Sequence, residues 1–219
     1  MAPLLVDLET VGIDTASDYL EPIEAPSNYK NPEAIEKYIK DATAKALDRC
    51  ALDVDLCRIV ALGHGEADWN SDHVIICRDE ETEAAALESL AKQITNVAGV
   101  VQTLISFNGF GYDLPVLMRR AQYLGVTFPL LNLDRYRTSH IDLMQKLTFN
   151  GAIKAHSLKF YCSRFGLPVE DNIDGSQIAA LVKAGDWAAV ESHCRSDLKL
   201  TRFLAQKLRL IPAVEPVAA

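Results

Sequence analysis

The sequence predicts an α/β fold. Short β-rich apolar runs alternate along the chain with segments whose apolar residues recur at helical spacing, and 219 residues suffice for one large domain with its own core. With 49% hydrophobic and 24% charged residues, the chain is ordinarily globular rather than disordered, collagen-like or coiled-coil. Residues 4–9 read as a buried strand, 56–63 as a second, 73–77 as a third and 100–107 as a fourth. Between the third and fourth, Ala84, Leu87, Leu90, Ala91, Ile94 and Val97 recur at helical spacing. A second helix is expected over 113–124, stopped by Gly125. The last opens with Asp186 as N-cap before Trp187 and runs toward Leu208, ahead of a short tail rich in Pro and Ala.

Residues 14–53 separate the first two strands by far more than a turn requires and read as an insertion. Its first half, with Pro22, Pro26, Asn28 and Asn31, reads as loop. Its second half begins a helix, with Asn31 as N-cap and Pro32 at the first helical position. Ile35, Tyr38, Ile39, Ala42 and Ala46 form an apolar stripe, and Lys37, Lys40, Lys45 and Arg49 lie near it. A docked surface helix is the favoured reading; the alternative is a flap beside a substrate groove, with Tyr29 and Lys30 as candidate backbone contacts.

The apolar runs are too short to span a bilayer, and the N-terminus carries neither a basic segment nor a small-residue cleavage site. Five cysteines without a CxxC pair argue against structural zinc and fit reduced thiols, so a cytoplasmic location is expected. The 22 basic and 30 acidic residues give a net charge of −8, which disfavours a broad grip on duplex DNA. The same balance suits a metal-dependent site, because carboxylates that gather divalent ions reverse the local sign toward phosphate.

Asp7 and Glu9 lie two apart on an apolar strand and point to one face. Buried carboxylates destabilise a fold unless cations neutralise them, and the neighbouring Leu4, Leu5, Val6 and Leu8 supply none. The alternative is a strand end with two solvated acids. Asp113 falls where the fourth strand gives way to a helix, a position that holds ligands on open α/β sheets and that also suits a plain N-cap. His193 and Asp197 are four apart on the last helix and share a face, either as an exposed pair or as a metal ligand with a general base beside it.

Asp7-Leu8-Glu9-Thr10, then Asn108 through Tyr112-Asp113-Leu114-Pro115, then His193 through Asp197 resemble the three motifs of the DEDD superfamily of 3′–5′ exonucleases. Within it, the sequence is similar to exonuclease domains related to the proofreading domains of B-family DNA polymerases. Ser157-Leu158-Lys159 running to Phe165-Gly166-Leu167-Pro168, and Asp174-Gly175-Ser176-Gln177 followed by a helix, add to the likeness. The resemblance implies an RNase H-like fold, a central mixed five-stranded sheet flanked by helices, with the 14–53 segment as a helical insertion between the first two strands. The domain is expected over 1–210, with 211–219 as a short C-terminal tail. One departure stands out: His193 takes the spacing at which one branch of the superfamily carries tyrosine, whereas the histidine branch uses one residue more. His156, in a stretch with Leu158 and Phe160, suits a structural histidine better. Asp142 reads as a strand-end acid near the site rather than a ligand.

The resemblance implies phosphodiester hydrolysis with two divalent ions, Mg²⁺ or Mn²⁺, held by Asp7, Glu9, Asp113 and Asp197, with Asp7 shared between them. His193 would steer the attacking water, and histidine's ordinary pKa of about 6.5 would make activity fall on the acid side. Thr10, Asn108 and Phe110 would line the terminal nucleotide, with Phe110 stacking on a base or packing in the core. The expected substrate is a single-stranded 3′ end, DNA more than RNA. No polymerase is expected to be fused after the last motif, so a proofreading role would require a separate polymerase or replication partner. The competing expectations are a binding module that does not cut and an RNase H-like endonuclease.

Overall fold

Leu4–Gly12 (β1) is the centre of the sheet, and its alternation assigns the two faces. In this computed structural model, which describes residues 2–67 and 72–212, β1 pairs antiparallel with Cys57–Glu66 (β2), and β2 antiparallel with Asp72–Ile76 (β3). On its other side β1 runs parallel to Leu104–Ser106 (β4), which is parallel to Ile141–Asp142 (β5). The order β3-β2-β1-β4-β5 is the mixed five-stranded sheet that the resemblance implies.

Leu4, Val6 and Leu8 point to one face, where they meet Leu87, Leu90 and Ile94 of Glu80–Ile94 (α2) and Leu114 and Leu117 of Asp113–Tyr123 (α3). Leu5 and Val11 point to the other, toward Trp187–Lys207 (α7). This second face also takes Leu158 and Cys162 of Leu158–Arg164 (α5) and Ile178 of Ile178–Ala184 (α6). The register shifts at Glu9/Thr10, where Val60 becomes an extra residue on β2. Val60 and Ala61 therefore both enter the core under α7.

The insertion is seated between β1 and β2, and its helix is Pro32–Cys50 (α1), with the Asn31 side chain accepting from the Glu33 N–H at 2.9 Å. The apolar stripe from Ile35 to Ala46 is only half-buried, and Cys50 alone in α1 is fully covered. Several boundaries differ from the sequence reading. The fourth strand is three residues long, because the Asn96 side chain accepts from the N–H groups of Ala98 and Val100 and turns the chain there. The helix before it ends at Ile94 and leaves Val97 exposed; it starts at Glu80, after a capping box made by Asp79 and Thr82. The short helix Leu143–Leu147 (α4), and α5, have too few residues for a clear periodicity.

All five cysteines are free and buried. Among the described residues, no helix is long and apolar enough to cross a membrane. Of the expected tail, 213–219 lie outside the described residues, and Ile211 is buried in the core beneath α5 and α7.

Candidate active site

The site forms where β1 passes under α7. Asp7 and Glu9 project from β1 to the α7 face, opposite Gly63 and Ala61 of β2. These small partners let the helix come close: a Cβ on Gly63 would lie 2.6 Å from Cys194 Sγ and 2.9 Å from Leu198 Cδ1. On α7, His193 and Asp197 are one turn apart on the face turned to the acids. Ligand atoms of Glu9, His193 and Asp197 lie within 4.8 Å of one another, as do those of Asp7, Glu9 and Cys194.

This is neither an exposed pair nor a solvated strand end, since Glu9 is 7% and His193 3% exposed. His193 Nε2 is 3.5 Å from Glu9 Oε1, and its Nδ1 is 2.5 Å from Asp171 Oδ2. Asp7 Oδ2 and Asp197 Oδ1 are buried without a hydrogen-bond partner. Burial raises the Asp7 carboxyl well above its ordinary value, and Glu9, Asp197 and Asp113 raise it further. Glu9 is raised well above its own by burial and then by Asp197, Asp113 and Asp171. Burial likewise raises Asp197, against the pull of His193 and Lys159.

Asp113 opens α3 as its first helical residue rather than as its N-cap, which is Tyr112. Burial pushes its carboxyl up to about 7, with Asp142 and Asp197 adding to the rise. The loop that presents it, 108–112, is held by Asp142, whose carboxylate accepts from the N–H groups of Asn108 (3.0 Å), Phe110 (3.1 Å) and Met144 (2.9 Å). Asp142 therefore serves the loop and the N-terminus of α4. Asn108 takes a φ of 64° at the strand end, a left-handed conformation that asparagine tolerates.

Four carboxylates pressed together with orphaned oxygens and almost no opposing cation fit hard divalent ions, which take all-oxygen ligands. Cys194 is not part of that set in its protonated form. Burial, Asp7 and Glu9 hold its thiol well above the ordinary range, so no thiolate competes for the ion.

Asn108 and Phe110 line a cavity of about 300 Å³ with Gly111, Arg135, Met144 and Gln145; Phe110 also packs partly against the core. The hydroxyl of Thr10 is engaged elsewhere, donating to the Ala51 carbonyl at 2.7 Å beside the Tyr112 hydroxyl at 2.6 Å. It ties the end of α1 to β1. His156 is exposed and stacks on Phe160 with ring centroids 4.1 Å apart, so it is a surface ring and not the structural histidine expected. A larger cavity, about 620 Å³, is lined by Ile13, Tyr19, Arg58, Arg120 and Tyr123 among others, and none of the four acids reaches it.

Sequence reasoning missed Asp171 and left Lys159 without a role. Lys159 Nζ donates to Asp171 Oδ2 at 3.2 Å, and its charge also pulls on Glu9 and Asp197. Asp171 lies in an irregular segment 22 residues before His193, where no periodicity signals a partner.

A protein-family model described as a predicted 3′–5′ exonuclease related to the exonuclease domain of PolB matches residues 51–212. That span contains Asp113, His193 and Asp197 and leaves Asp7 and Glu9 outside it. No curated protein matches. Among solved structures, the family B DNA polymerase of the hyperthermophilic archaeon Pyrobaculum calidifontis matches with a TM-score of 0.61 at 17% identity. The match covers 95% of this chain and 24% of the polymerase, so the likeness is one of fold and concerns about a quarter of that protein. With a five-stranded mixed sheet, acids gathered on its central strand and a family match over most of its length, the chain belongs to the predicted 3′–5′ exonucleases related to the exonuclease domain of PolB.

Proposed function

We propose that the protein is a divalent-metal-dependent 3′–5′ exonuclease that acts on the single-stranded 3′ end of DNA. The observation that carries this reading is the pair of buried, unpartnered carboxylate oxygens, Asp7 Oδ2 and Asp197 Oδ1, set among Glu9 and Asp113. Four such acids are costly to keep together unless a cation matches them or they take up protons. Asp7, Glu9, Asp113 and Asp197 would hold two Mg²⁺ or Mn²⁺ ions. When bound, such ions activate water as a nucleophile and stabilise the charge that develops on the phosphate and the leaving oxygen. His193 Nε2 faces the acids and takes the proton of the attacking water. The cavity beside Asn108 and Phe110 receives the terminal nucleotide, whose base has an aromatic face to stack on. A net charge of −8 favours a narrow cleft for one strand over a surface that coats a duplex. A separate polymerase or replication protein is the proposed partner, and five free thiols suit a reducing cytoplasm.

The test uses a 5′-labelled single-stranded DNA oligonucleotide with Mg²⁺, Mn²⁺ or EDTA, a circular DNA, a matching RNA, and Asp7→Ala as control. The expected result is a metal-dependent ladder that shortens from the 3′ end and is absent with EDTA, on circles and in Asp7→Ala. Cutting of circles would make it an endonuclease, and preference for the RNA would change the substrate. No cutting of any substrate would leave a binding module.

A further inference from the structure

The segment between α5 and α6 delivers one carboxylate that the cluster does not need as a ligand. Asp171 Oδ2 lies 2.5 Å from His193 Nδ1 and accepts from Lys159 Nζ at 3.2 Å, and Asp171 Oδ1 accepts from the Ile173 N–H at 2.9 Å. Lys159 Nζ also donates to the main-chain carbonyls of Asp171, at 3.1 Å, and Ile173, which fixes the segment to α5. Both oxygens of Asp171 are thus occupied by donors. Against the burial that would raise it, the Ile173 N–H, His193 and Lys159 hold its carboxyl below the ordinary value.

An ionised carboxylate only accepts hydrogen bonds, so the nitrogen facing it must carry a hydrogen. In the neutral ring that hydrogen is on Nδ1, and the lone pair is then on Nε2, the nitrogen directed at Glu9. In the other tautomer a lone pair would face the Asp171 carboxylate inside a buried pocket, and a charge-assisted bond would become a repulsion.

We propose that Asp171 is the positioning residue of the site: it holds His193 in the Nδ1–H form so that Nε2 presents its lone pair to the acids, and Lys159 holds Asp171 in turn. The proposal rests on the exonuclease reading for the use made of that lone pair, and on the geometry alone for the tautomer. It also gives a reason why a histidine works at the tyrosine spacing. The ring is held from outside α7, by a residue that a tyrosine would not need.

The experiment records two-bond ¹H–¹⁵N correlations of the imidazoles in the metal-free full chain, with the pH raised until the imidazole signals stop moving and His193 assigned by its loss in His193→Gln. Wild-type protein is expected to show the Nδ1–H tautomer. Asp171→Leu, which removes the acceptor at similar size, should move the population to Nε2–H. On the single-stranded substrate it should lower kcat by roughly 10²-fold or more, with little change in KM. Asp171→Glu should keep Nδ1–H and recover much of kcat, which a merely structural role would not require. A wild-type His193 in the Nε2–H form overturns the proposal without any variant, and so does an unchanged tautomer in a folded Asp171→Leu. A wild-type protein with no nuclease activity but with Nδ1–H on His193 sinks the exonuclease reading and leaves the Asp171–His193 geometry standing.

Discussion

Two buried charge clusters on opposite faces of the sheet are built in opposite ways. On the α2–α3 face, Glu83 is fully covered and Arg120 is 4% exposed; Arg120 Nε and one terminal nitrogen donate to the two Glu83 oxygens at 2.8 Å each, and the Ile59 N–H adds a third bond at 3.0 Å. Each charge of that pair has its counter-charge. In the cluster under α7, burial together with Glu9, Asp197 and Asp113 raises Asp7, two of the carboxylate oxygens have no partner, and Lys159 approaches by way of Asp171. A matched buried pair holds elements together, whereas an unmatched cluster costs stability and is kept for what it binds.

Neutralising one acid on each face should separate these roles. Asp7→Asn should lower the exonuclease rate on the order of 10³-fold, the loss of several kcal/mol of transition-state stabilisation. In thermal unfolding at pH 8 with EDTA the same variant should be no less stable than wild type, because it relieves the crowded carboxylates, and it should lose the stabilisation that Mn²⁺ gives wild type. Glu83→Gln should do the reverse. Leaving Arg120 without a full partner should cost about 3–5 kcal/mol in denaturant unfolding, while the rate per folded molecule stays near wild type. A marked loss of stability in Asp7→Asn, or a dead but stable Glu83→Gln, would undo the contrast.

The two faces also differed in how far the sequence disclosed them. Asp7 and Glu9 were readable because strand geometry repeats every two residues, and His193 and Asp197 because a helix repeats in just under four. Such local periods carry information over a few residues. The Glu83–Arg120 pair spans 37 positions and the Asp171–His193 contact spans 22, and each forms only when separate elements meet. Local signals misled at the fourth strand, where Val100 belongs to a turn held by Asn96 and Val101 to an isolated bridge with Thr95. They fell silent at β5, whose two residues are too few for any pattern. The bulge at Val60 has no sequence mark, although it brings two successive β2 residues under α7.

His64 sharpens the comparison from the other sign of charge. It is 6% exposed on β2, its Nδ1 has no partner, and its ring stacks on His73 with centroids 5.4 Å apart. Burial, with His73 adding to it, lowers its pKa to about 4. The folded value lies below the ordinary 6.5, so the stability that the neutral ring allows is fully present above 6.5 and is lost as the pH falls through 4. Between pH 7 and 4.5 this one group should remove ~2–3 kcal/mol. The crowded acids, with raised values, act in the opposite direction over the same range. The measurement is therefore a difference: His64→Gln against wild type, by denaturant unfolding at both pH values, with the variant gaining relative to wild type as the pH falls. A constant difference would mean that the ring is solvated.

The smallest expected effect comes from the residue that presses the acids together. Gly63 sits opposite Asp7, and its missing side chain is what lets Cys194 and Leu198, both fully buried, close over the cluster. In Gly63→Ala the new methyl group would lie 2.6 Å from Cys194 Sγ, well inside contact distance, and both neighbours are fully buried. The relief available is a small outward shift of α7, with an overpacking cost of about 1–3 kcal/mol. Because α7 carries His193 and Asp197, the same shift should lower kcat on the order of tenfold, through misplacement rather than through any lost group. Cys194→Ala alone removes volume and should cost stability. Combined with Gly63→Ala it should recover part of both losses, since the two changes meet at one contact. A double mutant whose deficits simply add would show that the close approach of β2 and α7 does not set the spacing of the acids.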